Sequence, residues 1–182
     1  MLPQRESNSQ PALLTLLLTI NMATMQQRNV AVPSSYLILK KDGEVLLGRR
    51  INTGYYDGYY ALPAGHVEAD ELPLRGLIRE AAEEIGVIIT PENAKLVHTM
   101  YRARHDETGE RVDFFFVVEQ WRGDVVNTEP HKCDDLRWFS FDHLPKRMMS
   151  HVKYALEQYQ EGIYYSEIPF NEQFVNPTAA KA

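Results

Sequence analysis

Acidic side chains recur at helical spacing near the middle of the chain. Glu80, Glu83 and Glu84 fall within five consecutive residues. Positions three and four apart lie on one face of an α-helix, with about 5–6 Å between their Cβ atoms. Three carboxylates there repel one another unless water solvates the face or a cation binds it. By itself the pattern fits either a solvated acidic face or, because carboxylate oxygens prefer hard divalent cations, a site for Mg²⁺ with Mn²⁺ as a possible substitute.

Apolar residues between the glutamates predict that the helix packs against a core. Pro73 suits the first turn of a helix, and Gly86 suits the position just after its end. An acidic face that only water surrounds would be the ordinary interpretation of such a segment, but here the helix is apolar around much of its circumference. The interleaved stripe consists of Leu74, Leu77, Ile78, Ala81, Ala82 and Ile85. The glutamates are therefore expected at the edge of a packed structure.

Residues 65–87 resemble the Nudix box, the signature of hydrolases that cleave nucleoside diphosphates linked to another group. The matching positions run in a fixed order: Gly65, five residues, Glu71, seven residues, Arg79-Glu80, two residues, Glu83-Glu84, one residue, Gly86. The residue before the first glycine is Ala64, where the common form of the family has a second glycine. The resemblance extends over about residues 30 to 160, although only the box is specific.

The resemblance implies roles for the residues of the box. Glu80 and Glu84 would be metal ligands, whereas Glu83 would be either a ligand or the base that orients water. The Gly65 carbonyl could also coordinate the metal, since glycine lets backbone approach closely. Glu71 and Arg79 would form a structural pair that orients the loop against the helix, with direct contact between Arg79 and phosphate as the alternative for the arginine. Gly86 would also support the box.

A further acidic ligand is expected from a loop after the central strands, as some members of the family have. Glu129 is the first candidate, with Asp134 and Asp135 as alternatives, and a solvated loop carboxylate is the competing interpretation. A zinc site at His131 and Cys133 is not expected, because one histidine and one cysteine do not make a tetrahedral site.

Substrate contacts are less sharply indicated. Arg49 and Arg50 end a predicted strand and could bind phosphate. Tyr60 and Tyr101 could stack on a base, although core or rim packing is the usual role of a single tyrosine.

The order of predicted elements suggests one α/β domain. Strands are expected before and after the central helix (30–40, 45–49, 95–102, 111–121 and 136–141), with an Asp42-Gly43 hairpin turn and a second helix over 142–160. This order fits a mixed sheet covered on both faces, the α/β/α sandwich that the resemblance implies. We assign 1–29 to an N-terminal extension outside the core, 30–161 to the Nudix domain and 162–182 to a C-terminal tail.

The composition of the chain excludes some classes of binding partner. The chain of 182 residues has a formal net charge of -6, a poor electrostatic match for duplex nucleic acid. The apolar run over 11–20 is far shorter than the roughly 20 residues that span a bilayer, so no membrane association is expected. With Cys133 as the only cysteine, a cytoplasmic location is expected. The expected partner is a small nucleotide-like substrate, and the sequence leaves a homodimer open.

The sequence therefore predicts an Mg²⁺-dependent hydrolase that cleaves a phosphoanhydride in a nucleoside triphosphate or related nucleoside diphosphate derivative. One alternative keeps the chemistry and changes the substrate to a dinucleotide or a nucleotide sugar such as ADP-ribose. An alternative of another class is a Nudix-fold module that binds nucleotides without turnover.

Overall fold

A computed structural model describes residues 30–104 and 109–169, which contain an eight-stranded mixed sheet and two α-helices. The predicted extension over 1–29 and the tip of the predicted turn at 105–108 lie outside the described residues. The elements in chain order are β1 (Ala31–Lys41), β2 (Glu44–Arg50), β3 (Tyr60–Ala61), β4 (Ala64–His66), α1 (Pro73–Ile85), β5 (Ala94–Arg102), β6 (Glu110–Val118), β7 (Cys133–Ser140), α2 (Ser150–Gln160) and β8 (Tyr165–Ile168).

Strand β1 is the centre of the sheet. It pairs in parallel with β6 along most of its length and antiparallel with β4 and with the start of β2. Strand β6 continues antiparallel into β5, and β5 pairs in parallel with β8. On the other side, β2 pairs antiparallel with both β3 and β7.

The core lies on both faces of this sheet. Leu77, Ala81 and Ile85 of α1 pack on one face, against residues that include Leu37 and Phe116. On the opposite face, α2 contributes its own buried residues to a cluster around Phe115. This arrangement confirms the predicted α/β/α sandwich with a mixed sheet.

Local signals in the sequence account for the turns that frame α1 and the first hairpin. Asp42 and Gly43 both have positive φ (53° and 82°), the conformation of a tight two-residue hairpin turn. Pro73 opens α1, and Gly86 ends it in the left-handed conformation at φ 70°. The Gly86 N–H donates to the Ala82 carbonyl at 3.2 Å and the Val87 N–H donates to the Ala81 carbonyl at 3.4 Å, which satisfies the end of the helix.

The second helix begins later than predicted. A helix was expected from Asp142, but α2 starts at Ser150. Residues 147–149 are instead held extended beside β3: the Tyr60 N–H donates to the Arg147 carbonyl, and the Met149 N–H donates to the Tyr60 carbonyl. Pairing with β3 thus replaces helical hydrogen bonds over this stretch.

Strand β8 lies within the segment that the sequence assigned to a C-terminal tail. It joins the edge of the sheet beside β5, where Ile168 is buried. The buried His98 ring links the two strands, with Nδ1 2.8 Å from the Ile163 carbonyl and Nε2 2.8 Å from the Ser166 hydroxyl. No helix in the described parts of the chain is long and apolar enough to cross a membrane.

Candidate active site

A cavity of about 600 Å³ brings α1, the β3–β4 turn and the exposed ends of several strands together. Three carboxylates line it, those of Glu80, Glu84 and Glu129. Cationic side chains also line it, namely Arg49, Arg50, Arg102, Arg111 and Lys132. The cavity therefore combines a region suited to a cation with regions suited to an anion.

Glu84 is the most strongly perturbed carboxylate of the cavity. Its Oε2 accepts a hydrogen bond from the Ala64 N–H at 2.9 Å, which ties the helix to the turn before β4. Burial raises the pKa of Glu84 to about 8, and the neighbouring charges of Glu80 and Glu129 act in the same direction, while the Ala64 bond opposes them. A bound cation would remove much of this penalty, since it favours the ionised carboxylate.

Gly65 allows the Glu80 carboxylate to lie directly against the backbone. A Cβ built on Gly65 would lie 1.9 Å from Glu80 Oε1 and 2.0 Å from its Cδ. No side chain larger than hydrogen therefore fits unless the carboxylate moves. Gly65 and Glu80 both line the cavity.

Arg79 organises the outer side of this region. Its Nε and Nη2 donate to the Glu71 carboxylate at 3.1 and 3.0 Å, the pairing that the resemblance implied. Nη2 also donates to the His66 carbonyl at 3.1 Å, and Nη1 donates to Glu80 at 2.6 Å and Glu83 at 3.1 Å. The guanidinium is thus occupied by protein partners, and Arg79 does not line the cavity.

Glu83 is placed differently from the other two glutamates of the helix. Its side chain is 56% exposed, pairs with Arg79 and does not line the cavity. Of the three residues expected to act as metal ligands or base, the structure brings Glu80 and Glu84 together and leaves Glu83 on the outer side.

Glu129 reaches the cavity because its loop is fixed to the end of α1. The Thr128 N–H donates to the Glu84 carbonyl at 3.2 Å, and the Thr128 hydroxyl donates to the Glu83 carbonyl. The Glu129 carboxylate is paired with Lys132 at 2.7 Å. The two alternative ligands have other partners: Asp134 binds Arg49, and Asp135 binds Arg137 and Tyr60.

The oxygen ligands that the cavity offers suit a hard divalent cation. Glu80, Glu84 and Glu129 offer only oxygen ligands, and the absence of a side chain at Gly65 lets the Glu80 carboxylate lie against the backbone. Burial is the main cause of the raised pKa of Glu84, and the charges of Glu80 and Glu129 add to it. Over residues 30–104 and 109–169, no three His, Cys, Asp or Glu side chains are already grouped to hold an ion.

The residues predicted to contact substrate divide into two pairs. Arg49 and Arg50 line the cavity, Arg49 bound to Asp134 and Arg50 donating from Nε to the Tyr55 carbonyl at 2.8 Å. Tyr60 and Tyr101 do not line it. Tyr60 is 9% exposed and packs in the core, while the Tyr101 hydroxyl donates to Glu110.

Residues that no sequence pattern indicated also line the cavity. They include His66, Arg102 and Arg111, which come from three different strands. Their common position depends on long-range strand pairing, so no local spacing could have predicted it.

The fold and the carboxylate-bearing helix define a Nudix-type domain, and comparisons with known proteins agree. The chain belongs to the Nudix family, because the NUDIX domain matches residues 29–159. An ADP-ribose pyrophosphatase from Methanocaldococcus jannaschii is 31% identical over 119 residues, covering 64% of this chain and 66% of that protein. An 8-oxo-dGTP diphosphatase from Proteus vulgaris is 29% identical over 91 residues, covering 50% of this chain and 77% of that protein.

A solved structure shows the same fold. The MutT NUDIX hydrolase from Burkholderia pseudomallei superposes with a TM-score of 0.65 at 25% identity, covering 71% of this chain and 98% of that chain. The chain spans only part of some curated relatives: the match covers 44% of an NAD-capped RNA hydrolase from Stutzerimonas stutzeri.

Proposed function

We propose that this protein is a hydrolase that uses Mg²⁺, or Mn²⁺ in its place, to cleave a phosphoanhydride bond in a nucleoside triphosphate or a related nucleoside diphosphate derivative. The observation that carries the proposal is the meeting of Glu80, Glu84 and the Gly65 backbone at one wall of a cavity that also presents arginines. Membership of the Nudix family supports the same reaction class.

Glu80, Glu84 and Glu129 are the residues that would hold the cation. Bound Mg²⁺ would neutralise charge on the phosphate oxygens and make a water molecule more acidic. The Ala64 N–H fixes one oxygen of Glu84 and leaves the other for the cavity. Arg79 and Glu71 hold the turn against α1, so that Gly65 and Glu80 keep their close approach.

The other residues of the site would position the substrate. Arg50 is fixed by the Tyr55 carbonyl and lies over the Tyr55 ring at 5.9 Å, so its guanidinium is already oriented before a phosphate arrives. Phosphoryl transfer needs little covalent chemistry from a protein, and placement and charge stabilisation supply most of the rate. Glu83 has two roles open to it: the base that orients water, or an outer support for Arg79.

A substrate panel with Mg²⁺ tests this function. It would contain nucleoside triphosphates, both standard and oxidised, together with ADP-ribose, nucleotide sugars and diadenosine polyphosphates, with the products separated by chromatography. Pyrophosphate plus a nucleoside monophosphate would identify a triphosphate as the substrate. Two phosphorylated fragments would identify the second candidate, a dinucleotide or nucleotide sugar, which the M. jannaschii relative favours.

Failure of every substrate, with Mg²⁺ still bound, would contradict the enzyme proposal and favour a nucleotide-binding module. Retention of Glu71, Glu80, Glu83 and Glu84 argues against that outcome, because a module without turnover has no need for a metal-binding carboxylate set.

A further inference from the structure

Two arginines face each other across neighbouring strands at the cavity wall. Arg102 of β5 is the direct cross-strand partner of Arg111 of β6. Like charges in this arrangement are destabilising unless something compensates them. Both side chains line the cavity, Arg102 almost fully buried and Arg111 half-buried.

One carboxylate accepts hydrogen bonds from only one of the two arginines, although its charge also attracts the other. Asp113, which is 0% exposed, accepts from Arg102 Nε at 2.5 Å and from its Nη2 at 3.4 Å. Arg111 contacts His66 instead, with Nη1 2.5 Å from the ring Nε2, which must accept in this contact. Within the described residues, no Asp or Glu lies within 4.0 Å of the Arg111 guanidinium. The pair therefore presents excess positive charge and unused N–H donors to the cavity.

The arginine pair occupies a different wall from the carboxylates. Side chains alternate along β6, so Arg111, Asp113 and Phe115 share one face of the sheet. Phe116 points to the other face, where α1 packs with its glutamates. A ligand that fills the cavity thus meets carboxylates on the helix side and guanidinium groups on the opposite face of the sheet.

We propose that Arg102 and Arg111 form a binding site for a phosphoryl group of the substrate outside the two phosphates joined by the scissile bond. Paired guanidinium groups offer N–H donors in a geometry that matches the oxygens of a phosphate. Since guanidinium groups have no hydrogen-bond acceptor, they favour a phosphate over an amine or an amide N–H. This inference rests on the proposed function and narrows its substrate class. It favours nucleotides with three or more phosphates over ADP-ribose, which has only two.

Arg111→Gln is the decisive variant, because Arg111 is half-buried and its removal leaves Asp113 paired with Arg102. Arg102 is less suitable, since its loss would leave a buried carboxylate without a partner. Arg122→Gln is the matched control, because Arg122 is exposed and does not line the cavity. Thermal unfolding of both variants would verify that the fold is retained, and Arg111→Lys would retain the charge if the glutamine variant failed to fold.

The first measurement is binding of inorganic tripolyphosphate in EDTA by calorimetry, with adenosine as an uncharged probe. We expect Arg111→Gln to weaken tripolyphosphate binding at least about tenfold, the loss of one charge-assisted hydrogen bond. Arg122→Gln should match the unmodified protein. Unchanged tripolyphosphate affinity in Arg111→Gln, or loss of adenosine binding instead, would overturn the proposal.

Kinetics with Mg²⁺ separates this proposal from the function on which it rests. Arg111→Gln should lower kcat/KM at least about tenfold for a nucleoside triphosphate, mainly through KM, and change that for ADP-ribose less than about threefold. Equal losses for both substrates would overturn the inference while the hydrolase proposal stands. Absence of all turnover, with the tripolyphosphate difference intact, would refute the hydrolase proposal and leave the phosphate site supported.

Discussion

Replacement of Gly65 by alanine should damage the metal site without damaging the fold. The new Cβ would lie 1.9 Å from Glu80 Oε1 and 2.5 Å from its Cγ, whereas ordinary contacts begin at 3.4 Å. The Glu80 carboxylate must therefore move by about 1.5 Å, because atoms at such overlap repel steeply. That movement also disturbs the 2.6 Å contact between Glu80 and Arg79.

We expect Gly65→Ala to lower the rate of turnover rather than the stability of the fold. A misplacement of about 1 Å in a catalytic group can reduce rate about 100-fold. The φ of Gly65 is not positive, so alanine meets no backbone strain, and the free energy of unfolding should change by less than about 1 kcal/mol. The assays are Mn²⁺ binding by electron paramagnetic resonance, turnover with Mg²⁺ and thermal unfolding.

A double variant isolates the clash as the cause. If the alanine acts by displacing Glu80, then Gly65→Ala should cost little in a protein that already carries Glu80→Ala. A full additional loss of metal binding in the double variant would refute this reasoning. Unchanged metal binding and turnover in Gly65→Ala alone would refute the assignment of Glu80 to the site.

Two other predictions concern pH and the sheet edge. Burial raises the pKa of Glu84 to about 8 in the folded protein, above its ordinary 4.5. The proton on Glu84 therefore stabilises the metal-free fold. This stabilisation is fully present below about pH 4.5 and is lost as the pH rises through about 8. Mg²⁺ must displace that proton, so the rise in Tm that Mg²⁺ produces should grow between pH 6 and 9; an equal rise throughout, or the same trend in Glu84→Gln, would contradict the assignment. His98→Ala should lower Tm by roughly 5–10 °C, about 2–3 kcal/mol, because it removes a buried ring that makes two hydrogen bonds to the segment that carries β8. The exposed His143→Ala is the control for that experiment, and equal Tm values would show that β8 is not held through His98.

Much of the fold was predictable because its signals are local. The Asp42-Gly43 turn, the proline that opens α1 and the glycine that ends it each constrain a few neighbouring residues, and the structure has all three. The late start of α2 was not predictable in this way. It depends on a backbone pairing between Tyr60 and residues 147–149, more than eighty positions apart in the chain.

In the candidate site, too, the residues placed by local spacing were predictable and those placed by long-range pairing were not. Helical spacing was enough to place Glu80 and Glu84 together, since both belong to one element. The same spacing could not show that Arg79 would hold Glu83 on the outer side. Tyr60 and Tyr101 looked suitable by residue type, but strand register directs both away from the cavity lining. The constellation of Arg102, Arg111 and Asp113 exists only through the pairing of β5 with β6.

The most direct test of the account is Mg²⁺-dependent turnover by Glu84→Gln beside Glu157→Gln, a control at an exposed position of α2. Glutamine keeps the shape of Glu84 but removes the charge that a cation needs. We predict a loss of at least about 1,000-fold in kcat with the substrate that the panel identifies, with Tm retained, and full activity for Glu157→Gln. Activity of Glu84→Gln within about threefold of the unmodified protein would contradict the assignment of this carboxylate to the metal, and with it the proposed site.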